Sequence, residues 1–375
     1  MTNKLNILFL ASWFPSKKNA FDGDFIERHV KAVALQHFVT VVYVESLDGI
    51  LQIEEELEEL ENLTIIRIYF PKKTRIYNQL TKFRLYLKEI KKLSKIDLIH
   101  VNVTYPVGLI ALYFKLRYKI SYVITEHWTG YLPIDPTQIS FFRKFLTKNI
   151  VKNASFLLPV SENLGKAMNS LGLNCKTVII RNVIDFDVFR FQNLRKNNVV
   201  KFLHISNLSE QKNVKGILSV ADKLWKQGFD FELHIGGNGD LKNLLHFKNE
   251  SSFSDKLIVF GELSQQQVSE KMNQSDCFIL FSLFENQPCV QIESFASGLP
   301  VIATEVGGIT EVFPEGFGQI ISPNNEEELL VSMKNFIENK LILKSRSEIN
   351  QFAQDNFSMQ KIAQQFNEVY SKVLE

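Results

Sequence analysis

Cysteine is scarce in these 375 residues, and the three present, Cys175, Cys277 and Cys289, form no CxxC or Cys/His spacing. An odd, scattered set excludes a disulfide framework and a zinc site, and it suits a reducing interior. Charge of one sign is also lacking. The 43 basic residues stand against 41 acidic ones, a net +2, too little to draw the chain to nucleic acid. The apolar stretch near the start, LNILFLASWF, is too short to span a bilayer and stops at Pro15, so it reads as a buried first strand, not a signal peptide or anchor. The expectation is a cytoplasmic protein with no membrane-spanning segment. No GxGxxG turn follows that strand, which counts against a nicotinamide-dependent oxidoreductase.

The composition that remains, 45% hydrophobic and 22% charged, is that of an ordinary globular protein. At roughly 150 residues per domain the length implies about two domains. Short apolar runs alternate with helical patterns: LNILFLAS, VTVVYV, TIIRIYF, LIHVNV, SYVITEH, FLLPVS and VIIRNV in the first half, then KFLHISN, FELHIGG, LIVFGE, CFILFS, PVIATE and GQIIS. Continuous runs of this length between helices mark parallel strands covered on both faces. The expected fold class is α/β, with two Rossmann-like, doubly wound parallel-sheet domains facing across a cleft. The polar segment FRFQNLRKNN, residues 189–198, is the expected join. It sets an N-terminal domain at 1–190, a second domain at 191–358, and a last helix at 359–375 that is open to packing back on the first. The acidic run EEELEELE, Glu54 to Glu61, reads as a solvated loop or helix face.

Ligands of such sheets collect at the carboxyl ends of the strands. There the stretch ENQPCVQIE, Glu285 to Glu293, follows CFILFS. Pro288 suits a first helical position, and a helix starting there aims the N–H groups of Gln287 to Val290 at an anionic or hydroxyl-rich ligand. Glu285 then stands in the preceding loop, with Glu293 about one and a half turns inside the helix. Two spaced glutamates alone read equally well as a loop cap and an exposed helix residue. The continuation SFASGLPVIATEVGGITEVF adds a helix stop at Gly298, a buried strand, and the pair Gly307 and Gly308.

Taken whole, FSLFENQPCVQIESFASGLPVIATEVGGITEV resembles the nucleotide-sugar-binding signature of the retaining glycosyltransferases of family four, which have the GT-B architecture. The resemblance implies that Glu293 accepts hydrogen bonds from donor ribose hydroxyls and that Glu285 lies beside the transferring sugar. It implies further that the backbone of Asn286, Gln287, Pro288 and Cys289 holds sugar hydroxyls and phosphate oxygens. In HISNLSEQKNVKGIL, Lys212 takes the position of a family lysine that neutralises the donor diphosphate. The partner arginine position holds Asn207, which carries no charge, so half of the expected clamp is missing and a nearby cation such as Lys215 would have to compensate. In ITEHWTGY, His127 matches a histidine that contacts the donor sugar near the reacting carbon, although a lone histidine is more often structural. Gly23 matches a glycine in the family's first loop that lets the backbone approach the ligand, and Gly236 and Gly237 of HIGGNGD match glycines lining the nucleotide pocket.

The resemblance implies a hexosyl-type transfer, with retention, from a nucleotide diphosphate sugar to a hydroxyl acceptor in cell-surface polysaccharide or glycolipid assembly. A lipid-linked glycan is one such acceptor. Neither a cofactor nor a metal is expected. The Asp-x-Asp strings at Asp22–Asp24 and Asp185–Asp187 are the only hints of one, and the second belongs to a segment that resembles the family's interdomain stretch. A sugar-nucleotide epimerase of the same fold and a non-catalytic partner subunit are the rival readings. Finally, PKKTRIYNQLTKFRLYLKEIKKLSK carries nine basic residues and one acid, with Ile76, Leu80, Phe83, Leu87 and Ile90 on one helical face. That stripe predicts a helix packed on its sheet, with lysines left over for weak contact with an anionic membrane surface and hence a peripheral location on its inner face.

Overall fold

Uninterrupted Val, Ile, Leu and Phe runs are buried on both faces in the structure, a computed structural model that describes residues 4–193 and 198–375. The chain forms two units: residues up to Val183 together with Met359–Glu375, and Ile184–Ser358.

The first unit holds a seven-stranded sheet of β1 (Asn6–Ala11), β2 (Phe38–Leu47), β3 (Glu54–Leu60), β4 (Leu63–Pro71), β5 (Leu98–Asn102), β6 (Tyr122–Glu126) and β7 (Phe156–Pro159). The order is β3-β4-β2-β1-β5-β6-β7, parallel except for β3. Side chains alternate across it with period two. Leu8, Leu10, Val42, Ile99 and Ile124 face one core, and Ile7, Phe9, Val41, Leu98 and Val123 face the other. Its helices are α1 (Asp24–Ala34), α2 (Arg75–Ile90), α3 (Gly108–Tyr118), α4 (Phe141–Asn153) and α5 (Glu162–Ser170).

The second unit holds β8 (Val200–Ser206), β9 (Phe231–Gly237), β10 (Leu257–Phe260), β11 (Cys277–Leu280), β12 (Val301–Thr304) and β13 (Gly318–Ile321), all parallel in the order β10-β9-β8-β11-β12-β13. The order reverses about β8, so the first crossovers run one way and the later ones the other, which is the doubly wound pattern. Its helices are α6 (Val214–Lys226), α7 (Lys242–Glu250), α8 (Gln265–Gln274), α9 (Cys289–Ala296), α10 (Glu326–Ile337) and α11 (Arg346–Phe357). The last helix, α12 (Met359–Leu374), returns to the first unit, where Ile362, Phe366, Val369 and Tyr370 are buried beside α1 residues Ile26 and Val30.

Four expectations are corrected. The acidic run Glu54 to Glu61 is neither loop nor helix: Glu54–Leu60 pairs antiparallel with β4 as an edge strand. VIIRNV is not a strand. Leu157 donates to the Lys176 carbonyl and accepts from Val178, and Ile180 donates to the Pro159 carbonyl, but proline has no N–H to donate back, so the ladder stops. The unit boundary falls at Val183–Ile184, earlier than the polar segment, because Ile184 and Phe189 are buried in the second core; residues 194–197 of that segment lie outside the described residues. In α2 only Ile90 of the expected stripe is fully buried, with Phe83 and Leu87 half-buried, while Ile76 and Leu80 are exposed. Among the described residues no helix is long and apolar enough to cross a membrane.

Candidate functional site

At the carboxyl edge of the second sheet, the loop after β8 is stitched to the loop after β11. Leu283 N–H donates to the Gln211 carbonyl at 2.8 Å, and Gln211 Nε2 donates to the Phe284 carbonyl at 2.6 Å. These bonds bring Lys212 to Glu285, and the two form an ion pair. Ser282 Oγ donates to the same carboxylate oxygen at 2.8 Å. Glu285 is only 4% exposed, so a carboxylate that would be costly alone is held by a cation and a hydroxyl.

Glycine is required beside it. Gly307 has φ +54°, and a Cβ there would stand 1.7 Å from the Glu285 carbonyl oxygen. The next residue, Gly308, donates its N–H to the Asn286 carbonyl at 2.7 Å. The Gly-Gly turn after β12 thus clamps the loop that carries Glu285 and Asn286.

The helix after that loop, α9, begins one residue later than expected: Pro288 is its N-cap, with φ −68° and ψ 125°, and Cys289 is its first helical residue. No side chain caps it and its first turn holds no acid, so the positive end of its dipole stays available to an anion. Asn286, Gln287 and Glu293 are buried, Glu293 at 5% exposure, which removes the reading of Glu293 as a solvated helix residue.

Asn207 lies exposed at the end of β8, with its Oδ1 accepting from Ser209 N–H at 3.3 Å and Ser209 Oγ at 2.9 Å. It is committed to a turn. Lys215, the suggested substitute cation, is exposed on the first turn of α6. Gly236 and Gly237 end β9 at distances no Cβ could tolerate, 2.0 Å from the Phe260 oxygen and 1.9 Å from the Ser206 oxygen; close strand packing alone accounts for both. Below this edge His204 bridges β8 and β11, with Nδ1 2.9 Å from the Ile279 oxygen and Nε2 2.8 Å from Ser206 Oγ, and burial lowers its pKa to about 4.

In the first unit, His127 follows β6. Its N–H and that of Trp128 donate to Glu126 Oε1, each at 2.9 Å, while Thr104 donates through N and Oγ1 to Oε2 at 2.9 and 2.6 Å. Burial raises the pKa of Glu126 against these four bonds. The His127 ring lies 4.6 Å from the Phe25 ring and 5.4 Å from that of His29. Burial first, then His29 and His100, hold it well below the ordinary histidine range, opposed by a hydrogen bond with the Asn182 side chain. The ring is therefore neutral at pH 7 and offers a hydrogen bond, not a charge. Gly23 is the N-cap of α1 at φ +75°, where a Cβ would meet the Trp13 carbonyl at 2.6 Å.

Sequence reasoning missed Glu126, Ser282, Gln211 and Asn182. Glu126 and Ser282 stand at strand ends next to residues that were singled out, and that position was the available signal. The Asp-x-Asp strings have other uses: Asp24 pairs with Arg28, and Asp185 Oδ1 accepts from Asp187 N–H. Among the described residues no group of His, Cys, Asp and Glu is arranged to hold a metal ion.

Residues 185–356 match the family model described as glycosyl transferases group 1, and residues 26–188 match glycosyltransferase family 4. An uncharacterised glycosyltransferase of Methanocaldococcus jannaschii is 24% identical over 85% of this chain and 87% of its own. The alpha-monoglucosyldiacylglycerol synthase of Streptococcus pneumoniae is 23% identical over 67% of this chain and 62% of its own. Anabaena HepE, solved in complex with UDP, superposes with a TM-score of 0.75 at 18% identity, covering 98% of this chain and 100% of that one.

Proposed function

We propose, from the premise that this chain belongs to the group 1 glycosyltransferases of family 4 and has their GT-B fold, that it transfers a sugar, with retention, from a nucleotide diphosphate sugar to a hydroxyl acceptor in polysaccharide or glycolipid assembly. The observation that carries this reading is the Lys212–Glu285 pair, whose glutamate stands three residues before Pro288, the N-cap of an α9 that no side chain caps. An ammonium and a row of helix-end N–H groups at one sheet edge suit a diphosphate whose negative charge grows as it departs. Lys212 takes the diphosphate. Glu293, on the second turn of α9, takes the ribose hydroxyls, and Glu285 orients the transferring sugar. In the first unit, His127 offers a neutral hydrogen-bonding ring. The UDP in the HepE structure and the monoglucosyldiacylglycerol in the streptococcal synthase's name support a nucleotide donor and a glycolipid product.

Titration with UDP and UDP-glucose, with transfer followed separately, tests the assignment. Glu293→Ala weakens UDP binding at least tenfold, whereas Glu285→Gln leaves UDP affinity within about threefold and slows transfer about a hundredfold, the usual cost of losing one transition-state contact. Full activity in both variants would place the donor elsewhere. Tight donor binding with no product from any acceptor would instead favour a non-catalytic partner subunit, the reading that the uncharged Asn207 supports.

A further inference from the structure

A cavity of about 370 Å³ opens in the first unit between α2, α3 and α4, within the usual size range of ligand pockets. Its floor is the carboxyl end of β1, at Ala11 and Ser12, and its walls include Leu80, Phe83, Tyr86, Leu109, Phe142 and Leu146. The sugar-transfer reading does not use it. Two of its rim residues are large and apolar yet open to solvent, Leu80 at 63% and Phe142 at 68% exposure, and Ile76, Phe141 and Phe145 on the same helices are exposed too. An apolar cavity that continues into an exposed apolar rim marks a binding surface, not a packing defect.

Charge identifies the occupant. The three helices carry four, two and four basic residues, against a single acid, Glu89, in a chain whose charges otherwise balance. Lys82 already pairs with Glu45 at 3.0 Å. Among the described residues Arg143 pairs with no carboxylate and its buried Nε has no hydrogen-bond partner; its guanidinium lies 4.0 Å over the Trp128 ring and 5.2 Å over that of Tyr105, which lines the cavity. A cation stacked on a ring that lines an apolar cavity suits an anionic head on an apolar tail.

We propose that this cavity binds the aliphatic chain of an anionic, lipid-linked acceptor, with its phosphate at Arg143; the role as acceptor rests on the sugar-transfer reading above. The test is calorimetric titration of the full chain with alkyl phosphates kept below micelle formation. Dodecyl phosphate binds, inorganic phosphate does not, and each methylene added between hexyl and dodecyl tightens binding about fourfold, the factor for one buried CH₂. Leu80→Asp and Phe142→Asp, both at exposed positions, weaken dodecyl phosphate at least tenfold and leave UDP binding unchanged; Arg143→Gln weakens dodecyl phosphate but not dodecanol. Equal binding of inorganic and dodecyl phosphate, or indifference to both Asp variants, overturns the proposal. So does binding to phosphatidylglycerol vesicles without binding of monomeric dodecyl phosphate, which would make the face a membrane seat. If UDP fails to bind but the chain-length series holds, the sugar-transfer reading falls and the chain site stands.

Discussion

Glu285 and Lys212 carry opposite charges at a largely buried sheet edge, so each is the other's main compensation. Lys212→Ala leaves the carboxylate with Ser282 alone, and a loss of about 2 to 3 kcal/mol is expected in urea unfolding, below the range for a wholly buried pair because the lysine is partly solvated. Lys212→Ala with Glu285→Gln should recover most of that stability without recovering donor affinity, which separates folding from binding. Asn207→Arg would restore the missing cation; tighter UDP binding is expected, and an unchanged affinity would mean another group already fills the role. Buried histidines make a different prediction. His29 and His204 both have pKa values lowered to about 4 by burial, against about 6.5 unfolded. Their neutral forms favour the fold above pH 6.5, and that advantage is lost as the pH falls towards 4 because the unfolded chain takes up the protons. By pH 5 each costs about 2 kcal/mol. The check is the urea midpoint at pH 7.5 and at pH 5, with His204→Gln expected to flatten the slope.

Among the elements, β3 shows where pattern reading fails. EEELEEL has few residues that favour strands, and both faces of an edge strand can be solvated, so the alternation that betrays a half-buried strand is absent. What holds it is cross-strand chemistry. Arg67 binds Glu58 at 2.9 Å, Tyr69 Oη donates to Glu56 at 3.0 Å, and Lys17 meets Glu54 and Glu56 at 3.0 and 3.1 Å. Acidic side chains on an edge also repel a second copy. Glu55→Thr with Glu59→Thr should therefore change stability by less than about 1 kcal/mol yet promote self-association, as read by size-exclusion chromatography. The continuous apolar strands were legible because burial on both faces leaves an unbroken run, as in LIHVN and CFIL. The Glu285 to Gly308 segment was legible because a proline, two glutamates and a glycine pair recur at fixed spacing. The contacts that join Lys212 to Glu285 come from residues 73 positions apart, and no local pattern reports them. The half of α2 that leaves the sheet was likewise hidden, since helical periodicity gives a face but not what covers it.

At the scale of the whole chain, the first unit is assembled from both ends of the sequence, and the second from one uninterrupted stretch. The closing helix α12 is anchored by chemistry as well as by apolar contact: the Tyr370 hydroxyl lies 2.6 Å from His100 Nδ1, whose other nitrogen lies 2.7 Å from Thr125 Oγ1. Tyr370→Phe leaves a buried ring nitrogen without its partner and should cost about 1 to 3 kcal/mol. The two units then predict different behaviour on dissection. Residues 1–183 alone lack Ile362, Phe366, Val369 and Tyr370 from their core and should expose an apolar face that binds the dye ANS, relieved by adding a peptide of residues 359–375. Residues 184–358 carry both of their own cores and all of Lys212, Glu285 and Glu293. That fragment should fold by itself and bind UDP within about tenfold of the intact chain, because a ligand that binds only the folded state raises its melting temperature by mass action. A folded fragment that UDP does not stabilise would mean that residues outside 184–358 supply an essential part of the donor site.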